Sequence, residues 1–217
     1  MKLVEELYPW FLKVFTTLSH IMKADAARYM YMHHYGGVYA DLDFQSLRPL
    51  DDILRGKKVV LGRMQDDVDE WQHALPNAFM ASAPGDDFWL FVLQMIIERT
   101  ATEEMRVSEQ MKPQHVWPEE RTGPSALWHA YQDYKTIHHS EGDLSIFEKD
   151  TFYPLDWRRF PPGFEPTYED DQGRDCRICN MAEPQFSKKQ CLKDYPNTYA
   201  LTFWTHSWGS TTDTGRH

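Results

Sequence analysis

The feature that most constrains this 217-residue chain is the stretch KADAARYMYMHHYGGVYADLDFQSLRPLDDIL, residues 23–54. Apolar residues recur at helical spacing over residues 3–18 and again over 23–35, and two glycines then interrupt the pattern. Gly36 following such a run predicts a left-handed helix cap, a tight reversal and a strand that begins at Val38, Tyr39 and Ala40. In an extended strand, residues two apart face the same side. Asp41 and Asp43 are therefore expected to offer oxygens to one point, with Leu42 turned into the core. Asp25 and Arg28 lie three apart, on one face of the preceding helix, and the reversal returns that face towards the strand. A polar pocket between helix and strand becomes possible.

The rest of the chain alternates the two periodicities. RPLDDIL reads as a turn into a short helix and KKVVLGR as a strand. NAFMASAPGDDFWLFVLQMIIERTA reads as a short buried piece, a Pro-Gly turn and a core helix, and TGPSALWHAYQDY as a helix with proline in its first turn. LSIFEK, TFYPLDW and YALTFWT read as strands or extended segments. Helices alternating with strands, without an internal repeat or a long linker, predict an α/β sheet architecture in a single domain over residues 1–217.

Composition narrows the function. A net charge of −10 argues against a nucleic-acid partner, whose binding rests on a basic surface. An acidic protein that handles an anionic ligand needs a cation between them, and two carboxylates on one face suit a hard divalent ion that also takes phosphate oxygens. The longest apolar run, FWLFVLQMII, is a buried helix too short to cross a bilayer, and no stretch reads as a signal peptide or anchor. Cys176, Cys179 and Cys191 leave open one structural disulfide, free thiols or a small zinc site. The acidic cluster DDVDE (residues 66–70) lacks the spacing of a calcium loop, and the adjacent pairs His33-His34 and His138-His139 point too far apart on a helix to chelate. Neither a nucleophile elbow nor a P-loop is present.

The combination of DAARY, then YGGVYADLD at fixed spacing, resembles the sugar-binding region of the family 32 glycosyltransferases, which include Golgi mannosyltransferases and relatives of α-1,4-galactosyltransferases, and is similar to the core of the large glucosylating toxins. NAFMASAPG, TGP, FYPLDW and the closing THSW agree more loosely with the family's later landmarks. The resemblance implies a GT-A fold and a metal-dependent, retaining transfer of a hexose from a UDP- or GDP-sugar to a glycan or glycolipid acceptor. By position, it assigns Asp25 and Arg28 to the donor sugar's hydroxyls, Tyr39 to the nucleotide wall, Asp41 to ribose, sugar or metal, and Asp43 to Mn²⁺ or Mg²⁺. It places Asn77 near the reacting carbon, and His206 and Trp208 on a loop closing over the diphosphate, with His206 as a further metal ligand. It further implies a Golgi lumen in a eukaryote, or the cytoplasm otherwise, with membrane association only through a segment outside these residues.

The chain departs from the family's pattern in two places. The family's opening strand and helix, which bind the nucleotide base, have no counterpart before YPWFL, and APGDDF stands where a Gly-His-Pro pattern is usual. The first departure supports an alternative reading, a non-catalytic GT-A-like remnant that binds sugar or metal; a hydrolase of the donor is a third.

Overall fold

In the computed structural model, the described residues are 1–66, 74–108, 117–138, 144–161 and 164–204. In chain order the elements are α1 (Lys2–Leu7), α2 (Leu12–Thr17), α3 (His20–His34), β1 (Gly37–Ala40), β2 (Phe44–Ser46), α4 (Asp51–Leu54), β3 (Val59–Gly62), β4 (Phe79–Ser82), α5 (Asp87–Ser108), α6 (Pro118–Arg121), α7 (Pro124–His138), β5 (Leu144–Phe147), α8 (Lys149–Phe152), α9 (Lys188–Asp194) and β6 (Ala200–Thr202). The expected α/β character holds. A mixed sheet runs β1-β4-β3-β5, antiparallel at its first two pairings and parallel between β3 and β5, and a second, antiparallel sheet pairs β2 with β6.

The helix α3 organises the centre. Ser19 caps it by accepting from the Met22 N–H at 3.5 Å, and Ala26, Tyr29 and Met30 are fully buried. Tyr29 stacks on Trp89 of α5 with ring centroids 6.0 Å apart, so the apolar side of α3 rests against the long core helix. That packing leaves Asp25 and Arg28 on the side of α3 nearest the sheet, where both are buried.

The helix ends as its glycines predict. Gly36 and Gly37 have φ of 62° and 85°, successive left-handed positions that turn the chain straight into β1. Gly36 also lies against the chain after β4: a Cβ there would stand 2.6 Å from the Pro84 nitrogen and 2.7 Å from the Ser82 carbonyl oxygen.

Three local expectations are corrected. Strand β1 stops at Ala40, paired with Phe79, and Asp41, Leu42 and Asp43 form a turn closed by the Phe44 N–H donating to the Asp41 carbonyl at 3.0 Å. The acids thus stand at the hinge where the chain leaves one sheet for the other, and Leu42 is fully exposed rather than in the core. TFYPLDW is not a strand, because Thr151 and Phe152 close α8 and a 3-10 turn follows at Trp157–Arg159. The helical run over residues 3–18 is broken at Tyr8 and Pro9 into α1, a 3-10 turn and α2. Among the cysteines, Cys179 and Cys191 form a disulfide, and Cys176 is a buried free thiol.

Candidate functional site

A cavity of about 1040 Å³ opens between α3, the end of β1, the start of α6 and α7, and the second sheet. Asp25, Arg28, Tyr39, Asp41, Asp43 and Asn77 all line it, so the structure brings together each described residue that the sequence marks out. His206 and Trp208 lie outside the described residues.

Asp25 is the most enclosed of these. Its Oδ1 accepts from the Asn77 amide at 2.9 Å and pairs with Arg28 Nη2 at 3.3 Å, while Oδ2 accepts from the Thr122 hydroxyl at 2.9 Å. A carboxylate offers about four lone-pair positions, so one more donor can be received. Burial raises its pKa to about 6, against the opposing pull of Arg28, Thr122 and Asn77.

Arg28 joins helix to turn. Its Nη1 donates to the Asn77 carbonyl at 2.8 Å and to Asp41 Oδ1 at 3.4 Å, and its guanidinium lies 4.8 Å over the Tyr39 ring. Burial lowers the Arg28 pKa, but Asp25 and Asp41 outweigh burial and hold it above its ordinary value, so the guanidinium stays charged. One donor is left over: Arg28 Nε is buried without a hydrogen-bond partner. An orphaned donor enclosed in this way carries a desolvation cost that the ion pairs of the same guanidinium must offset.

Tyr39 donates to Asp41 Oδ1 at 2.7 Å, so the tyrosine fixes the first acid of the pair. Burial raises the Asp41 pKa and Asp43 adds to that, with Arg28 and Tyr39 opposing. Asp41 and Asp43, both lining the cavity, offer an oxygen-only donor set, and this fits a hard cation such as Mg²⁺ or Mn²⁺, which keeps positions for water and phosphate. Among the described residues no group of three or more His, Cys, Asp or Glu could hold a metal, so protein ligands beyond the pair are not found there.

Asn77 lines the cavity with its side chain bound into a network. Its amide nitrogen donates to Asp25 and, at 3.0 Å, to the Tyr29 hydroxyl, which ties it to the carboxylate network. Tyr29 in turn donates to the Thr122 carbonyl at 2.7 Å. Tyr29 and Thr122 are site residues that the sequence did not reveal; the TGP triplet and the position of Tyr29 inside DAARY were the available signals.

The opposite wall is aromatic. Trp157 and Trp204 line it, and Trp204 stacks on Tyr153 at 5.5 Å while its indole donates to the Leu155 carbonyl at 2.9 Å. Trp204 adopts a φ of 51°, a conformation rare for a bulky residue. Trp117, Glu119 and Glu120 form a third side. Flat aromatic faces and carboxylates around one cavity match the apolar faces and hydroxyl edges of a sugar.

The geometry thus sets a polar, aromatic-walled cavity beside an acidic turn, and comparison with known proteins bears on its class. Residues 1–60 match the family described as glycosyltransferase sugar-binding region containing DXD motif. The chain is similar to inositol phosphoceramide mannosyltransferase 1 of Schizosaccharomyces pombe, 44% identical over 62 residues, which cover 28% of this chain and 19% of that protein. It is 34% identical over 94 residues to mannosyl phosphorylinositol ceramide synthase CSH1 of Saccharomyces cerevisiae, covering 43% and 23% respectively. With mannosyl phosphorylinositol ceramide synthase SUR1 of the same yeast it shares 50% identity over 52 residues, 24% of this chain and 14% of the relative. The matched segments thus span less than a quarter of each of these relatives. No solved structure matches the chain at a significant level.

Proposed function

We propose that the cavity is the donor site of a GT-A-type glycosyltransferase that moves a hexose from a nucleoside diphosphate sugar to a hydroxyl of a glycolipid headgroup, with retention at the anomeric carbon. The names of the matched relatives make mannose the first sugar to test and an inositol phosphoceramide the first acceptor. The observation that carries this reading is the Asp25–Arg28–Asp41 clamp lining the cavity, set on the segment that matches the sugar-binding region.

Each side chain has a distinct part. Asp25 receives one sugar hydroxyl on its remaining lone pair, and the Arg28 guanidinium, which lines the cavity, donates to a second. Tyr39 and Arg28 hold Asp41 still, so that Asp41 is presented to the sugar or ribose in one orientation. Asn77 keeps Asp25 and Arg28 in register through its amide and its carbonyl. The aromatic wall of Trp157 and Trp204 shields the reacting centre from water. Asp43, with Asp41 beside it, would hold Mn²⁺ or Mg²⁺, which supplies charge neutralisation to the departing nucleoside diphosphate. His206 and Trp208 belong to the same reading as a further metal ligand and a cover for the diphosphate.

The Cys179–Cys191 bond supports an oxidising compartment such as the Golgi lumen. Among the described residues no helix is long and apolar enough to cross a membrane.

The test is a transfer assay with radiolabelled GDP-mannose, Mn²⁺ and detergent-dispersed inositol phosphoceramide, beside UDP-hexose controls. Labelled lipid that disappears with Asp43→Ala supports the reading. Transfer undiminished in that variant refutes it, and free mannose released without acceptor points to a hydrolase.

A further inference from the structure

We propose that Thr122 is a positioning residue for donor-sugar recognition, acting through Asp25; the proposal rests on the donor-site reading above. Thr122 is fully buried, at the end of α6 and two residues before α7 begins. Its backbone N–H donates to the Pro118 carbonyl at 2.9 Å, and its own carbonyl accepts from the Tyr29 hydroxyl. The side chain has a single proton to give. The Pro118 carbonyl lies 3.3 Å from the hydroxyl but already receives two backbone N–H groups, those of Thr122 and Gly123. Asp25 Oδ2 is nearer at 2.9 Å and charged, so the proton goes there.

That bond decides how the carboxylate is turned. Oδ1 is held twice, by Asn77 and Arg28, whereas Thr122 is the side chain bonded to Oδ2. Removing the hydroxyl leaves the carboxylate anchored only through Oδ1, so Oδ2 loses its fixed direction and the lone pair offered to the sugar is less well placed. The placement of Thr122 is itself rigid. A Cβ on Gly123 would lie 2.8 Å from the Glu119 Cα, so the end of α6 packs tightly on itself. Because Pro118, Glu119 and Glu120 line the same cavity, the hydroxyl also ties that wall to the sugar-reading helix.

The acid turn, read as the diphosphate's side of the site, lies on a different element and keeps its own Tyr39 hydrogen bond, so Thr122 is expected to affect recognition of the sugar more than of the nucleotide. Thr122→Val keeps the shape and removes the hydroxyl; Thr122→Ser keeps the hydroxyl. Calorimetric titration of wild type and both variants with GDP-mannose and with GDP, each in Mn²⁺, separates the two contributions. We expect Thr122→Val to bind GDP as wild type does and to lose about tenfold in affinity for GDP-mannose, with Thr122→Ser restoring it. Unchanged GDP-mannose affinity in Thr122→Val overturns the proposal. So does an equal loss for GDP and GDP-mannose that serine fails to restore, which would mark Thr122 as a packing residue. A wild type that binds neither GDP-mannose better than GDP nor any UDP-hexose better than UDP overturns the donor-site reading and this proposal together.

Discussion

Asp25 shows how burial turns an ordinary acid into a responsive one. With a folded pKa of about 6 against 3.8 for the free side chain, it binds its proton more tightly in the fold than in the unfolded chain. The stability this contributes is fully present below pH 3.8 and is lost as pH rises through about 6. Relative to Asp25→Asn, the wild type should therefore be more stable at pH 4 than at pH 7.5, by about 2 kcal/mol, in matched urea titrations. Sugar-dependent binding, which uses the carboxylate as acceptor, should weaken over the same interval as pH falls. Arg28 gives a second contrast. Arg28→Ala leaves Asp25 buried without its cation and is expected to destabilise by about 3–5 kcal/mol in the same titration. Arg28→Lys keeps the charge and loses the fork, so binding of the sugar should suffer more than folding. The network behind these residues was only half legible: the spacing of Asp25 and Arg28 announced a shared face, but Asn77 and Thr122 join them through contacts that only the tertiary fold creates.

At the scale of elements, helix, double glycine and strand were readable because each has its own chemistry: helical periodicity in α3, left-handed glycines, then β-branched and aromatic residues in β1. Gly36→Ala should cost at least about 2 kcal/mol, since it combines a positive φ with contact against the Pro84 and Ser82 backbone. Gly37→Ala meets nothing within 4 Å and should cost only the backbone strain, about 1 kcal/mol; chemical denaturation of the two variants checks the order. Among the short elements, β2 and α8 were not readable. β2 has three residues and pairs with β6 near the other end of the described chain, so no local pattern marks it. TFYPLDW carries aromatic residues that suit a strand, yet Phe152 stacks on Phe79 at 4.0 Å from a single helical turn. The same blindness explains Leu42. Alternation assumes that the strand continues, and here it ends one residue before the first acid.

Across the whole molecule, two clamps hold the site's surroundings. The disulfide links the 3-10 turn Cys176–Cys179 to α9, with a sequence separation of 12, in the part of the chain that also buries Leu47, Leu201 and Phe203 beside the small sheet. Its reduction should cost about 3 kcal/mol by loop-closure entropy, read as a lower Tm in reductant. Cys176, fully buried with its pKa pushed up to about 12, should stay unalkylated in the native protein. The other clamp is the proposed one, in which an acidic chain of net charge −10 would grip an anionic donor through the acid turn and a cation. Thermal unfolding with Mn²⁺ and a panel of GDP, UDP and their sugars, run beside Asp43→Ala, tests it most directly, because a ligand that binds only the folded state must raise its stability. One nucleotide sugar should raise Tm by more than its bare nucleotide does, only with metal, and Asp43→Ala should abolish the rise. A cooperatively folded protein whose Tm answers to none of them, or answers equally without metal and in the variant, would contradict it.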